Sequence, residues 1–188
     1  LLEERSQAAA AALVAPLTAS QRARLGDALA TADLLVRAAT LDLERARPDD
    51  PRVRHAVDRY VAELVERFPA GFDPGPADPR DPGSTYLLAG SAGEVVACGG
   101  VRPLERGRVG TAEVKRMWVD AGWRGAGLGA RLLAALESLA ADLGHTRVVL
   151  DTNSTLTEAV TLYERAGYAR TERYNDNTYA ELFFTKDL

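Results

Sequence analysis

One cysteine, Cys98, stands in 188 residues. A single thiol excludes an intramolecular disulfide and any cysteine-built metal cluster, and it fits a reducing cytoplasm. Histidine is nearly as scarce: His55 and His145 lie in unrelated segments without ligand-like spacing, so no metal is expected. No apolar run approaches the roughly 18 residues a membrane span needs, and no signal-peptide pattern is present. Cationic excess is missing too. Lys and Arg number 23 against 27 Asp and Glu, a net charge of -4, which gives no field favouring a polyanion. Direct nucleic-acid binding is therefore not expected. What is present is an ordinary globular balance, 46% hydrophobic and 27% charged, in a length that suits one domain or one domain with an appendage.

Residues 1–15 are rich in alanine and read as helix. In the next segment Thr18 and Gln21 have capping-box spacing. Leu25, Leu29, Ala32, Val36 and Ala39 then recur at steps of four and three. This narrow, heptad-like stripe either faces a partner helix in a second subunit or packs on its own domain. Period two begins at Thr40, where "TLDLERA" reads as a short strand or as helix continued through Leu43. After the turn "RPDDP", the residues Val53, Val57, Tyr60, Val61, Leu64 and Phe68 share one face of an amphipathic helix. The proline-rich segment 69–84 is an extended loop long enough to line a site. Three antiparallel strands follow in "TYLLAG", "EVVACGGVRP" and "TAEVKRMWVD", the last two joined by a loop at 104–110. A helix over 128–143 ends at Gly144, and "TRVVLDTN" is an interior strand. A helix in "TLTEAVTLYERAG" has Thr155 or Thr157 near its cap and ends at Gly167. "YARTERY" and "YAELFFTKDL" make two terminal strands around the turn "NDNT". The fold class is α/β, of the α+β kind.

Chemistry gathers at "WRGAGLGARLL", where a strand runs through a loop into a helix. A helix N-terminus leaves backbone N–H groups unpaired and carries positive partial charge. Glycines let an anion approach those groups closely, so the loop reads as a phosphate or pyrophosphate cradle. It is not a Walker loop, because no Gly-Lys-Ser/Thr follows. The dinucleotide fingerprint also fits poorly, because the preceding strand belongs to a meander and the glycine spacing differs. A tight strand–helix turn accounts for one or two of these glycines, not for three together with Arg124.

Arg124-Gly-Ala-Gly127-Leu-Gly129 matches the Arg/Gln-x-x-Gly-x-Gly/Ala signature of the GNAT superfamily of acyl-CoA N-acyltransferases. Glu113 stands upstream where many members keep a glutamate, and "AVTLYERAGY" looks like the family's second motif. The resemblance covers residues 40–188. It implies a GNAT fold: a central mixed, mostly antiparallel twisted sheet of about six or seven strands flanked by helices. It implies acetyl-CoA as co-substrate and no metal. The backbone N–H groups of Arg124, Gly125, Ala126, Gly127, Leu128 and Gly129 would bind the pyrophosphate. Met117, Trp118 and Val119 would offer backbone groups to pantetheine, on a strand that splays from its neighbour. Asn153 would reach pantetheine or the substrate, and Tyr163 would lie near the thioester sulfur.

The implied reaction is attack of a neutral amine on a thioester, which a carboxylate can assist as base and a phenol as acid. Glu113 is the candidate base or substrate anchor, with pairing to an arginine as the structural alternative. Tyr163 is the candidate acid, with helix packing as its alternative. Cys98 has no evident histidine partner and reads as strand packing, so direct transfer in a ternary complex is expected over an acyl-enzyme. The loop 69–84 and the turn 174–179 would frame the acceptor site. Tyr174, Asn175, Asp176, Asn177 and Tyr179 suit a small polar, amino-acid-like amine; a protein lysine stays open. Asn175, Asp176 and Asn177 read equally well as a polar hairpin turn.

Residues 1–39 resemble the closing part of a MarR-type bacterial regulator, whose last helices form its dimer interface. With no initial methionine, the chain reads as the C-terminal piece of a longer fusion. That resemblance implies a homodimer through the N-terminal helices and an alternative role, an acyl-CoA or amine sensing domain of a MarR–GNAT fusion. A degenerate dimerisation fragment is a third reading, against which the intact glycines argue.

Overall fold

The computed structural model describes residues 2–68, 71–73, 83–104 and 110–188; most of the 69–84 loop and of the 104–110 loop falls outside them. The chain divides into two compact units, Leu1–Thr40 and Leu41–Leu188. The first unit holds α1 (Leu2–Val14) and α2 (Ala19–Thr40). Its capping box is complete: the Thr18 hydroxyl accepts from Gln21 N, and Gln21 Oε1 accepts from Thr18 N at 2.9 Å. Leu25, Leu29 and Val36 lie uncovered within the unit. The helix runs through Thr40, where period two was expected to begin, and the Thr40 hydroxyl donates back to the carbonyls of Val36 and Arg37 in its last turn.

In the second unit the elements are β1 (Leu43–Ala46), α3 (Pro51–Arg67), β2 (Thr85–Ser91), β3 (Glu94–Pro103), β4 (Thr111–Val119), α4 (Leu128–Asp142), β5 (Arg147–Thr152), α5 (Thr157–Arg165), β6 (Ala169–Arg170) and β7 (Leu182–Asp187). Among the described residues seven strands form one sheet, in the order β1-β2-β3-β4-β5-β7-β6. Every neighbouring pair is antiparallel except β4 and β5. This is the mixed, mostly antiparallel sheet of seven strands that the resemblance implies.

Helix α3 starts where Asp50 accepts from Arg52 N at 2.8 Å and Pro51 occupies the first helical position. Its buried face, Val53, Ala56 and Val57, packs with Tyr86, Leu88, Cys98 and Trp118 on one side of the sheet. Helix α4 buries Leu132, Leu133, Leu136 and Leu139 on the other side. A Cβ on Gly99 would stand 2.6 Å from Leu136 Cδ1, so this glycine lets α4 approach β3. Cys98 and Gly99 are consecutive and serve opposite faces, as strand alternation requires.

The terminal strands are shorter than their alternation suggests. β6 keeps only Ala169 and Arg170, and 171–181 runs irregularly. Side chains take over the backbone there: Asn175 Oδ1 accepts from Asn177 N, Asn177 Oδ1 from Tyr179 N, and Arg173 donates to the carbonyls of Asn177 and Ala180. Such local bonds compete with a ladder and win where Asn recurs.

Candidate active site

β4 and β5 pair over three rungs: Thr111 with Arg147, Ala112 with Val148, and Glu113 with Val149. Past Glu113 the strands part, and the β5-facing backbone of 114–119 has no strand partner among the described residues. The cause lies in β4. Its register with β3 slips between Cys98 and Gly100, and Arg116 takes a φ of 52°, a left-handed conformation in a non-glycine residue. That conformation costs about 1–2 kcal/mol. It is held by the Arg116 guanidinium donating to Tyr86 Oη at 2.8 Å and by Cys98 Sγ donating to the Arg116 carbonyl at 3.4 Å. Burial pushes the Cys98 thiol up to about 12, so it stays protonated and serves as a donor, not a nucleophile.

A cavity of about 270 Å³ occupies the fork. Arg116 and Met117 from β4 face Asp151 and Asn153 from the end of β5, and the rings of Phe68, Phe72 and Tyr179 stack along one wall. A second cavity, about 390 Å³, runs along Met117, Trp118 and Val119 to the glycine loop. The two share Tyr60, Leu64, Met117, Leu156, Ala159 and Tyr163, so they meet at one throat.

The far end of the second cavity is the start of α4. Gly125 and Gly127 have φ values of 80° and 77°, and a Cβ on either would point into open space. No side chain of a described residue caps the helix. The first bond onto its backbone is Arg131 N to Gly127 O, and the N–H groups of 125–130 have no acceptor among the described residues. Unpaired N–H groups, a positive helix end and open space fit a pyrophosphate. The N–H of Arg124 is the exception, because it turns inward to Ala121 O at 3.4 Å. Its side chain turns inward as well, Nε to the Val119 carbonyl at 2.9 Å and the guanidinium to Glu63 of α3 at 2.5 Å. Glu63 also accepts from Trp118 Nε1 at 3.0 Å and from Arg67. Burial works against its ionisation, but the bonds from Arg124 and Trp118 outweigh that and hold the carboxyl below its ordinary value.

The model of the Acetyltransferase (GNAT) family matches residues 48–168, more than half of the chain. The chain belongs to the GNAT acetyltransferase family. It is similar to the uncharacterized N-acetyltransferase YjgM of Escherichia coli, 30% identical over 129 residues, which cover 64% of this chain and 76% of that protein. It is similar to an IAA acetyltransferase of Azospirillum brasilense, 35% identical over 88 residues, 47% of this chain and 56% of the relative. A solved structure from Klebsiella pneumoniae, described as an acyl-CoA N-acyltransferase, superposes with a TM-score of 0.64 at 26% identity, covering 80% of this chain and 99% of that one.

Within this GNAT chain the expected residues fall into three groups. Met117, Trp118, Val119, Gly125, Gly127, Leu128 and Gly129 line the second cavity, as does Arg124, whereas Ala126 is not among its lining residues. Tyr163 lies in the throat, 7% exposed; burial, then the charge of Asp151, pushes its phenol above the ordinary tyrosine range, so it keeps its proton. Asn153 borders the fork cavity rather than the second one, and both ends of its amide are committed: Nδ2 donates to the Tyr179 carbonyl, and Oδ1 accepts from Thr155. Tyr179 and Asn177 also line the fork.

Glu113, Tyr174 and Asn175 are together, but they are absent from both cavity linings. Glu113 is 0% exposed. Its oxygens accept from Arg102 at 2.6 Å, Lys115 at 3.2 Å, Tyr174 Oη at 3.1 Å and Asn175 Nδ2 at 3.2 Å. Asn175 Nδ2 reaches onward to Asp151 Oδ2 at 2.8 Å, which also takes Asn177 Nδ2 at 3.0 Å. Two carboxylates line the fork, Asp73 and Asp151; Asp151 is the one at the end of β5, and its Oδ1 has no partner among the described residues. Sequence reasoning passed over Asp151, although an acidic residue closing the apolar run "VVLD" was a usable signal. It also passed over Tyr60, hidden in an apolar stripe, and Glu63. Among the described residues no cluster of His, Cys, Asp and Glu could hold a metal ion, and no helix is long and apolar enough to cross a membrane.

Proposed function

We propose that this GNAT chain transfers an acetyl group from acetyl-CoA to the primary amine of a small polar, amino-acid-like molecule, directly and within a ternary complex. One observation carries the reading: two cavities meet at a single throat, with an anion cradle at the end of one and the Asp151 carboxylate in the other. The thioester supplies the activated acyl group. Backbone N–H groups of 125–129 would hold the diphosphate, and Met117, Trp118 and Val119 the arm that follows it. The acceptor enters the fork with its polar part toward Asp151 and Asn177 and any flat apolar part against Phe68, Phe72 and Tyr179. Asp151 takes the amine proton as the new C–N bond forms. Tyr163, kept protonated by burial, gives its proton to the leaving sulfur and regains one from Asp151 through solvent. β4 N–H groups past the bulge favour the oxyanion. This reading moves the base from Glu113 to Asp151, and Glu113 steadies Asp151 through Asn175. Thiol release with acetyl-CoA and a panel of amines tests it. Turnover with at least one small amine is expected; tight CoA binding without turnover on any amine overturns it.

Residues 1–40 motivate a second, compatible reading. The uncovered Leu25, Leu29 and Val36 suit pairing with a second copy, and the likeness to MarR-type helices suits a bacterial, cytoplasmic fusion in which acyl-CoA or amine binding biases an attached DNA-binding half. This segment would not itself bind nucleic acid. A full-length fusion that binds DNA identically with and without acetyl-CoA and amine removes the sensing role.

A further inference from the structure

The chain has six tyrosines. Three hydroxyls are engaged: Tyr86 with Arg116, Tyr174 with Glu113, and Tyr179 with Asp73 N. A fourth, that of Tyr168, is sealed inside the protein. Tyr163 is the fifth. The sixth, Tyr60, comes from α3 and lines both cavities at the same throat. Its ring packs against the cluster that contains Cys98 and Trp118. Its hydroxyl makes no hydrogen bond with any described residue, and it is not among the polar atoms sealed from solvent.

The ring is partly buried and the hydroxyl opens to the cavity with its donor unspent, so a ligand entering the throat can accept from it in place of water. The throat is where the acyl group must lie if the two cavities hold the two substrates, so the acceptor belongs to the thioester. Side decides which atom. Tyr60 stands over β3 and β4, beside the bulge at Arg116 where β4 N–H groups lack a β5 partner. Tyr163 stands against Phe184 of β7. Donors for a developing oxyanion therefore collect on the Tyr60 side. We propose that Tyr60 is a catalytic residue whose hydroxyl donates a hydrogen bond to the carbonyl oxygen of the thioester, a donor separate from Tyr163.

The inference rests on the acetyl-transfer reading above. As the amine nitrogen bonds to the carbonyl carbon, the π pair moves onto oxygen and the Tyr60 bond strengthens. When C–S breaks, the electrons leave on sulfur with a proton from Tyr163, and the oxygen returns to a carbonyl. Tyr60 keeps its proton throughout. Burial first, then the neighbouring Tyr163 and Asp151, pushes its phenol above the ordinary range, which suits a donor that never ionises.

Tyr60→Phe removes the hydroxyl and leaves the ring. The test combines initial rates, thermal unfolding and the infrared carbonyl stretch of carbon-13-labelled acetyl-CoA bound to the full chain. Expected is a loss of about 10- to 100-fold in kcat, smaller than or equal to the loss of one oxyanion donor, with the acetyl-CoA KM and the unfolding midpoint nearly unchanged. The bound carbonyl band should move to higher frequency in Tyr60→Phe and stay in place in Tyr163→Phe, a readout that a packing role would not shift. Wild-type kcat and an unmoved band in Tyr60→Phe overturn the inference while leaving acetyl transfer intact. A band that moves in Tyr163→Phe instead also overturns it. Failure of the wild-type chain to bind acetyl-CoA overturns the underlying reading as well.

Discussion

Glu113→Gln distinguishes a base from a structural anchor. The substitution keeps volume and removes one charge at a fully buried position. Arg102 and Lys115, with side chains 31% and 26% exposed, lose their counter-ion. The amide also turns a donor toward a shell made wholly of donors: Arg102, Lys115, Tyr174 and Asn175. Breaking a buried pair costs about 3–5 kcal/mol, and water reaching the two cations brings this case down to about 2–3 kcal/mol. At about 2–4 °C per kcal/mol for a chain of this size, the unfolding midpoint should fall by about 4–12 °C. Circular dichroism gives the midpoints, and initial rates taken well below both of them give kcat. A modest change in kcat is expected alongside the lower midpoint. An unchanged midpoint with kcat reduced about 100-fold, most at low pH, would refute this reasoning and return the base to Glu113.

Asp151→Asn should lower kcat by about 100-fold or more with little change in midpoint or acetyl-CoA KM, because a positioned base contributes roughly that factor; a retained kcat in the rate assay removes Asp151 from the chemistry. Gly127→Glu should abolish CoA binding in a titration by filling the cradle with bulk and negative charge, whereas Gly127→Ala should cost about 1–2 kcal/mol for its left-handed backbone; a wild-type affinity in the glutamate variant misplaces the cradle. Alkaline stability follows from burial. Tyr60, Tyr163, Tyr168 and Tyr174 have folded values pushed above the ordinary tyrosine value by burial first. Unfolded phenols lose protons near pH 10 while these folded ones retain them, so stability should fall as pH rises above about 10. Phenolate absorbance from these four should appear together with loss of the circular dichroism signal; ionisation inside a still-folded chain contradicts it. Cys98, with its thiol pushed up to about 12, should resist thiol reagents at neutral pH until the chain unfolds.

The glycine-rich helix start was legible because its requirement is local: N–H groups at a helix start, and glycines at Gly125 and Gly127 where φ is positive. The helix caps at Thr18 and Gly144 were legible for the same reason. The fork drew on a whole-fold property. Whether β4 leaves β5 after three rungs depends on a bulge at Arg116, and nothing in "EVKRMWV" announces a left-handed arginine. The same holds for the carboxylates. Glu113 and Asp151 are both acidic residues in apolar strands, and only the path of 171–181 decides which is covered. Tyr60 was read as part of an apolar stripe, and its ring does pack there; only its hydroxyl departs from the pattern.

Two halves of one sheet are joined by the short parallel seam between β4 and β5, and Glu113 is on its final rung. In mechanical terms this is a crack tip, the point from which any further unzipping would spread. A single buried carboxylate there is bolted to β3 through Arg102, to β4 through Lys115, and to the 171–181 segment through Tyr174 and Asn175. Cross-bolting a crack tip stops it from travelling. The depth of the opening, and with it the reach between its two walls, is then set by where this residue stands in the strand.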